Sequence, residues 1–325
     1  MNNGSFVISL DYELMWGVRD NRSIDNYGDA ILGVRPAIDR MITSFEKYGA
    51  KATFATVGFL FCKDKKELMQ NLPNKKVEYH NNILSPYPNI HSYVGDNEDT
   101  DPYHFGFSLL QKIKASNHIE LATHTFCHYY CLEPGQNISM FESDLEAAIK
   151  VAALEGIETK SIVFPRNQYN ETYVDLCGKM GITSYRGNED HYIYKSSNSE
   201  SQTPIRRALR LLDSFVNITG YHTYSYESLR KSTPFNIPSS RLLRPYSKKL
   251  SWLQPLKIKR ITQAMTHAAK NNEVFHLWWH PHNFGRNLEA NISILDAVLA
   301  HYQELNKKYG FQAATMQDVA HYLSK

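Results

Sequence analysis

The sequence predicts an α/β fold on a buried parallel sheet, open or closed into a barrel, and two observations lead to that prediction. First, the strand-like segments at residues 6–10, 52–60, 161–164 and 274–279 are mostly apolar and lack a clean polar–apolar alternation. Strands that are apolar on both faces are covered on both sides, as in parallel sheets. Second, amphipathic helical segments alternate with these strands, which is the pattern of α/β proteins.

The boundaries between helices and strands are marked by glycines. Four helix-like segments end at Gly49, Gly156, Gly181 and Gly310, and a strand-like segment follows each at once. A residue just past a helix often takes a left-handed conformation, which glycine adopts without strain. We therefore expect repeated helix–glycine–strand units within a single domain that spans residues 1–325.

Two long stretches interrupt this rhythm. Residues 63–118 and 187–250 are polar and irregular, and they contain many prolines, asparagines and tyrosines. A compact α/β fold does not need such long connections. Long loops commonly shape ligand sites, so we expect both stretches to cover one end of the sheet.

The composition excludes several classes of protein. A net charge of +3 with scattered basic residues gives little support for nucleic acid binding. Four cysteines in 325 residues do not resemble a disulfide framework. No apolar run reaches the roughly 20 residues that cross a bilayer, and the first residues do not resemble a signal peptide. We therefore expect a cytoplasmic protein with reduced thiols.

An acidic pair follows the first predicted strand. Asp11 and Glu13 are two residues apart, so in an extended chain both carboxylates can face one point. Two such close charges either raise a pKa or share a cation. A solvent-facing pair at a loop edge is the alternative.

The segment THTFCHYYC, at residues 123–131, carries the next candidates. His124 and His128 are four apart, so one helical turn would let both imidazoles bind one metal ion. Cys131 is a rival third ligand, and together with Cys127 it could complete a four-ligand structural zinc site. Hydrogen-bonded histidines without a metal are a further alternative.

Two later strand ends carry polar side chains as well. Arg166 follows one strand and could orient a carboxylate. His280 and His282 end another strand beside tryptophans, which suggests a general acid next to a surface for stacking a sugar. A salt bridge at the barrel rim and a buried aromatic core are the respective alternatives. Because catalytic residues collect at the carboxyl ends of parallel barrel strands, the shared placement of all these residues favours an active site.

From SLDYELMWG to WWHPHNFG, these motifs resemble the polysaccharide deacetylase family of metal-dependent carbohydrate esterases, and in particular deacetylases of bacterial surface-polysaccharide biosynthesis. The resemblance implies a distorted barrel of seven or eight β/α units with long loop insertions over its C-terminal face. It also implies a hydrolase that removes an N-acetyl or O-acetyl group from an amino sugar. The implied cofactor is a divalent cation, first of all Zn²⁺, with Co²⁺, Ni²⁺ and Fe²⁺ as alternatives.

The resemblance also implies a role for each matching residue. The implied roles are Asp11 as base, Arg166 holding that base and His280 as acid, with Glu13, His124 and His128 as metal ligands. Trp16, Tyr169, Trp279 and His282 are predicted substrate-binding residues. The first motif departs from the family's usual pair of adjacent aspartates, because Tyr12 separates the two acids.

The expected partner is an N-acetylated saccharide, nucleotide- or lipid-linked. Two other functions stay open at this point. The same site could hydrolyse a non-sugar C–N bond, or the chain could be a catalytically silent carbohydrate-binding protein.

Overall fold

The apolar segments form one parallel sheet at the centre of the computed structural model, which describes residues 3–198 and 203–325. In chain order the strands are β1 (Ser5–Tyr12), β2 (Ala52–Thr56), β3 (Ile119–Thr123), β4 (Ser161–Ile162), β5 (Ser184–Tyr185), β6 (Phe235–Asn236), β7 (Arg241–Leu242), β8 (Val274–Trp279) and β9 (Gln312–Ala314). Each of these strands runs parallel to the neighbours with which it pairs. The predicted parallel sheet is therefore confirmed.

The sheet curls until its two ends meet. The strand order is β6-β5-β4-β3-β2-β1-β8-β7, and β9 pairs with the first half of β1. Its two outermost strands, β6 and β7, are neighbours in the sequence. Between them, the Ser239 amide donates to the Gly187 carbonyl and the Ser240 amide donates to the His276 carbonyl. The stretch 235–242 thus bonds first to β5 and then to β8, and it closes the distorted barrel that was predicted.

Helices surround the barrel on its outside. They are α1 (Ile24–Leu32), α2 (Val34–Tyr48), α3 (Lys65–Gln70), α4 (Ile90–Tyr93), α5 (Phe107–Ala115), α6 (Ile138–Leu154), α7 (Glu171–Lys179), α8 (Pro204–Asp213), α9 (Tyr226–Leu229), α10 (Gln254–Asn271), α11 (Leu288–Tyr309) and α12 (Met316–Leu323). Gly49, Gly156, Gly181 and Gly310 have φ between 64° and 89°, so the left-handed helix ends are confirmed. Within the described residues, no helix combines the length and the apolar character that a bilayer crossing requires.

The buried apolar residues form two clusters, one on each side of the curled sheet. The larger cluster, which includes Phe6 and Leu10 of β1, packs between the strands and the surrounding helices. The smaller cluster contains Val7 and Ala55, and residues of α12 such as Val319 pack against it. The barrel interior is therefore apolar toward the amino ends of the strands, which leaves the carboxyl ends for polar side chains.

The long insertion at 63–118 covers those carboxyl ends, as expected. The indole of Trp16, just after β1, donates to the His104 carbonyl at 2.8 Å. The amide of Tyr130, after β3, donates to the Tyr79 hydroxyl at 2.8 Å. In the second stretch, the Ser196 hydroxyl donates to the Asn167 carbonyl at 2.9 Å, beyond the end of β4. Both stretches thus help to enclose this end of the barrel. The prediction that 187–250 is only a loop insertion is wrong, however, because β6 and β7 lie within it and belong to the sheet.

Candidate active site

The alternation of side chains along each strand determines which residues face the interior at the carboxyl end of the barrel. Ser9 of β1 pairs in register with Trp278 of β8, and every second residue of a strand faces the same side. Ser9 and Asp11 therefore point inward together with His276, Trp278 and His280. This polar set lies in the centre of the barrel, above the apolar cluster that fills its amino end.

Glu13 is the centre of a cluster of four histidines. Its Oε2 lies 3.0 Å from His128 Nε2 and 3.4 Å from His124 Nε2. Its Oε1 lies 3.0 Å from His282 Nε2 and 3.8 Å from His280 Nε2. Two sets of three side chains are compact enough to hold a metal ion: Glu13 with His124 and His128, and Glu13 with His280 and His282. The sequence-predicted ligands are thus brought together.

The pair of histidines does not meet through a helical turn, as the sequence interpretation assumed. Residues 124–131 follow β3 as an irregular loop, with φ of 63° at Thr125 and 64° at His128. The carboxylate of Asp144, on α6, accepts from the Phe126 amide at 2.7 Å and from the Cys127 amide at 3.2 Å. This buried acid holds the loop in the conformation that aims both imidazoles at Glu13.

The protonation of these imidazoles suits a metal ligand. His124 Nδ1 donates to the Val163 carbonyl at 2.7 Å, which leaves the lone pair of Nε2 facing Glu13. Burial lowers the pKa of His128 to about 4, so its ring is neutral near pH 7. Two neutral imidazoles and one carboxylate with ligand atoms within 4.8 Å of one another fit a divalent ion such as zinc, and they leave coordination positions open.

The cysteines of the same loop take no part in this arrangement. Cys127 and Cys131 are buried in the apolar core, and among the described residues neither belongs to a group that could hold a metal. Burial raises the pKa of both thiols well above the ordinary value, which keeps them protonated. The structure therefore gives no support to the four-ligand zinc site or to Cys131 as third ligand.

Asp11 is held by an arginine that the sequence interpretation did not select. Arg186 Nη1 donates to Asp11 Oδ1 at 2.7 Å and Nη2 donates to Oδ2 at 2.8 Å, a bidentate pair that is buried on both sides. Burial alone would raise the pKa of Asp11. The cationic Arg186, which also donates to both carboxylate oxygens, outweighs that effect, and the pKa lies below its ordinary value.

A second layer of buried hydrogen bonds fixes Arg186. Its Nη1 also donates to Ser9 Oγ at 3.0 Å, and Nη2 donates to Asn167 Oδ1 at 3.0 Å. His276 Nδ1 donates to the Ile237 carbonyl, so the Ser9 hydroxyl donates to His276 Nε2 at 2.8 Å. Burial lowers the pKa of His276 to about 3, which keeps this ring neutral. The guanidinium, and with it Asp11, is therefore locked in one orientation.

Arg166 occupies a different place, so the prediction that it holds Asp11 is wrong. It forms ion pairs with Asp20 and Glu133, and its guanidinium lies over the Tyr130 ring at 4.1 Å. The Tyr130 hydroxyl lies 3.2 Å from His128 Nδ1, so Arg166 borders the metal-ligand side of the site instead. Arg186 directly follows β5, and the rule that drew attention to Arg166 applies to it equally.

The two arginines give a direct test of this assignment. We expect Arg186→Met to lower kcat/KM for acetate release by about 10- to 100-fold, the usual effect of losing a partner that orients a site residue. Arg166→Met, which leaves the Asp11 pair intact, is expected to change it several-fold at most. Steady-state kinetics on both variants, with thermal unfolding to verify folding, measures the difference. A larger loss in Arg166→Met than in Arg186→Met would contradict the assignment.

His280 lies where the site opens. Its side chain is 26% exposed, against 1% for His124, and its Nε2 lies 3.6 Å from Asp11 Oδ2. The side-chain Nδ2 of Asn283 donates to His280 Nδ1 at 3.4 Å. The proton of the neutral ring is therefore on Nε2 and faces the carboxylates of Asp11 and Glu13. His280 is therefore placed to give a proton to a group bound at the mouth of the site.

Two of the expected substrate-binding rings are buried. Trp16 is fully buried and packs against Phe59, with ring centroids 4.4 Å apart. Trp279 is also fully buried and stacks on Phe284, on the helix-facing side of β8. Neither can meet a substrate, so both predictions are wrong. Strand alternation explains the second error, because the residue that shares the inward face with His280 is Trp278.

Trp278, and not Trp279, presents an aromatic surface on the side of β8 that faces the site. It is half-buried, its ring lies beneath Arg186 at 4.3 Å, and its centroid is 5.5 Å from that of His280. His282 is buried between Glu13 and the Tyr27 hydroxyl, which lies 2.7 Å from His282 Nδ1. Tyr169 lies farther out, and its hydroxyl accepts from the Asn188 amide at 3.2 Å. Roles for His282 and Tyr169 in substrate binding stay predictions.

The arrangement of strands is shared with solved structures. A Mycobacterium smegmatis protein assigned to the polysaccharide deacetylases superposes with a TM-score of 0.62 at 12% identity, over 100% of this chain and 91% of its own. A Pseudomonas aeruginosa protein with the same assignment gives 0.51 at 11% identity, over 98% and 89%. The chain has the polysaccharide deacetylase fold.

This deacetylase fold is not tied to one substrate. The Puue allantoinase superposes with a TM-score of 0.51 at 10% identity, over 98% of this chain and 88% of its own. A scan against family models gives no match, and a sequence search of curated proteins gives none either. At these identities the comparisons establish the fold alone.

Proposed function

We propose that the protein is a metal-dependent hydrolase that removes an N-acetyl or O-acetyl group from an amino sugar. The observation that carries the proposal is the convergence of two carboxylates and the histidines on one point at the carboxyl end of the barrel. This is the face of a parallel barrel at which catalytic side chains collect. The fold shared with the deacetylase structures agrees with the proposal.

Each residue has a role that its surroundings support. Glu13, His124 and His128 would hold the cation, and their two nitrogen donors and one carboxylate suit zinc. Bound there, such an ion polarises a carbonyl group and acidifies a water molecule. Asp11, ionised beside Arg186, accepts the proton of the attacking water.

The leaving amine needs a proton, since an amide anion is a very poor leaving group. His280 Nε2 carries a proton, lies 3.6 Å from Asp11 Oδ2, and is the most exposed histidine of the cluster around Glu13. It can therefore protonate the departing nitrogen from the side opposite the buried metal ligands. The half-buried Trp278 ring beside it offers a stacking surface for a sugar.

Hydrolysis of a non-sugar C–N bond is the second candidate, and the fold shared with an allantoinase favours it. Linkage of the sugar to a nucleotide or lipid carrier, and a cytoplasmic location, stay predictions.

A substrate panel tests the proposal. Acetate release from N-acetylated amino sugars, with and without phosphate-containing carriers, is compared with hydrolysis of small amides and cyclic ureides. We expect acetylated sugars to be turned over and chelation to abolish that turnover. Turnover confined to amides or ureides selects the second candidate. Saccharide binding by purified protein that holds no metal indicates a silent binding protein instead.

A further inference from the structure

A basic cavity adjoins the candidate active site. It has a volume of about 140 Å³, and five cationic side chains line it with one acidic side chain. The cationic residues are Arg166, Lys195, Arg210, Arg241 and Arg244, and the acid is Glu189. Because a water molecule takes about 30 Å³, a phosphate or carboxylate group fits this volume.

The positive charge of the cavity exceeds the negative charge around it. Arg166 pairs with acids outside the cavity, and Arg241 pairs with the buried Asp213. Arg244 and Lys195, by contrast, form no ion pair with any residue that the structure describes. Glu189 can offset only one of these two charges. Lys195 is exposed to solvent, whereas Arg244 is half-buried, so the argument for an accompanying anion applies to Arg244.

Two hydrogen-bond donors on the cavity wall also lack acceptors. The indole N–H of Trp278 and the Nε–H of Arg241 are buried, and neither has a hydrogen-bond partner among residues 3–198 and 203–325. Buried donors are almost always satisfied in folded proteins, so an acceptor bound in the cavity would complete these two. The cationic lining and the two unpaired donors both suit an acceptor-rich anion.

The cavity shares walls with the catalytic groups. Asn167, which lines it, accepts from Arg186 at 3.0 Å, and Trp278 lies beneath the same guanidinium. Trp278 also contacts His280 edge-on. One layer of side chains therefore separates an occupant of the cavity from Asp11. A sugar at the metal ligands would extend past Trp278, which lines the cavity and contacts His280, to place a substituent there.

We propose that this cavity is a subsite for an anionic group, a phosphate or a carboxylate, carried by the acetylated saccharide itself. The proposal rests on the proposed function, because it assigns the substrate class of that same site. Arg244 is its main anchor, since a guanidinium can form a bidentate pair with either oxyanion. The substrate class is then an acidic or phosphorylated N-acetyl sugar rather than a neutral one.

Kinetics on matched substrates test the subsite. Acetate release is compared for N-acetylglucosamine, its 1-phosphate and an N-acetylated amino uronic acid, with wild-type, Arg244→Met and Arg244→Lys proteins. We expect the wild-type KM to be at least tenfold lower for one anionic sugar than for the neutral one. Arg244→Met should remove most of that preference, and Arg244→Lys should keep part of it. Which anionic sugar is preferred distinguishes phosphate from carboxylate.

A binding measurement separates failure of the subsite from failure of the function. Calorimetry with inorganic phosphate needs no turnover, and Lys248→Met, an exposed lysine outside the cavity, is the matched control. Binding that Arg244→Met weakens tenfold and Lys248→Met leaves intact supports the subsite, even if no sugar is deacetylated. Phosphate held only by the metal would bind equally to all variants. Equal KM values for neutral and anionic sugars, or phosphate binding unchanged in Arg244→Met, overturn the subsite.

Discussion

Asp11→Asn is expected to lower kcat for acetate release by about 10³-fold while the bound metal is retained, because a general base contributes about 10²–10⁴ in rate. Asparagine has nearly the shape of aspartate but cannot accept the proton of the water. Asp11 is not a member of either compact metal-binding group, so metal content should not change. Steady-state kinetics and elemental analysis on the same preparation measure both quantities.

The folding of this variant needs a control, since Arg186 would lose its buried counter-charge. Breaking one side of a buried ion pair costs about 3–5 kcal/mol of stability. Thermal unfolding therefore accompanies the kinetics, and Asp11→Glu serves as the variant that keeps the charge. Activity of folded Asp11→Asn within a few-fold of the wild type would falsify the assignment of the base.

Glu13→Gln is expected to weaken metal binding by more than 100-fold, because even losing an outer-shell partner costs about 10- to 100-fold in affinity. The substitution removes the one negative charge among the proposed ligands and leaves two neutral imidazoles. Activity should fall with the metal content. The double variant Cys127→Ser with Cys131→Ser is the control, and we expect it to hold the same amount of metal as the wild type.

Glu13 belongs to two possible ligand sets, and histidine variants distinguish them. We expect His128→Ala to lose the metal and His282→Ala to retain most of it, because the proposed ligand set is Glu13 with His124 and His128, and His282 is outside it. The reverse order would place the ion between Glu13, His280 and His282.

Much of the fold followed from the sequence because its signals are local. Apolar strands and left-handed glycines such as Gly49 report backbone conformation within a few residues. The grouping of Asp11, Glu13, His124 and His280 was also foreseeable, since the carboxyl ends of parallel strands meet at one end of a barrel.

The wrong residue assignments concern contacts between strands that are distant in the sequence, because only the curled barrel brings those strands together. Two arginines follow successive strands, and only the barrel geometry shows that Arg186, not Arg166, reaches across to Asp11. Likewise, two histidines four residues apart do not reveal a loop with a left-handed residue at His128. Trp278, by contrast, was predictable from the sequence, because it lies two residues before His280 and therefore faces the same side of β8.

The proposed function depends most on a functional metal at Glu13, His124 and His128. The most direct measurement is acetate release from an N-acetyl amino sugar by protein that has been stripped of metal and then titrated with Zn²⁺. The proposed function predicts no turnover without metal and full recovery at about one equivalent, the stoichiometry of a single three-ligand catalytic site. Full turnover by the stripped protein, with no response to added metal, would contradict it.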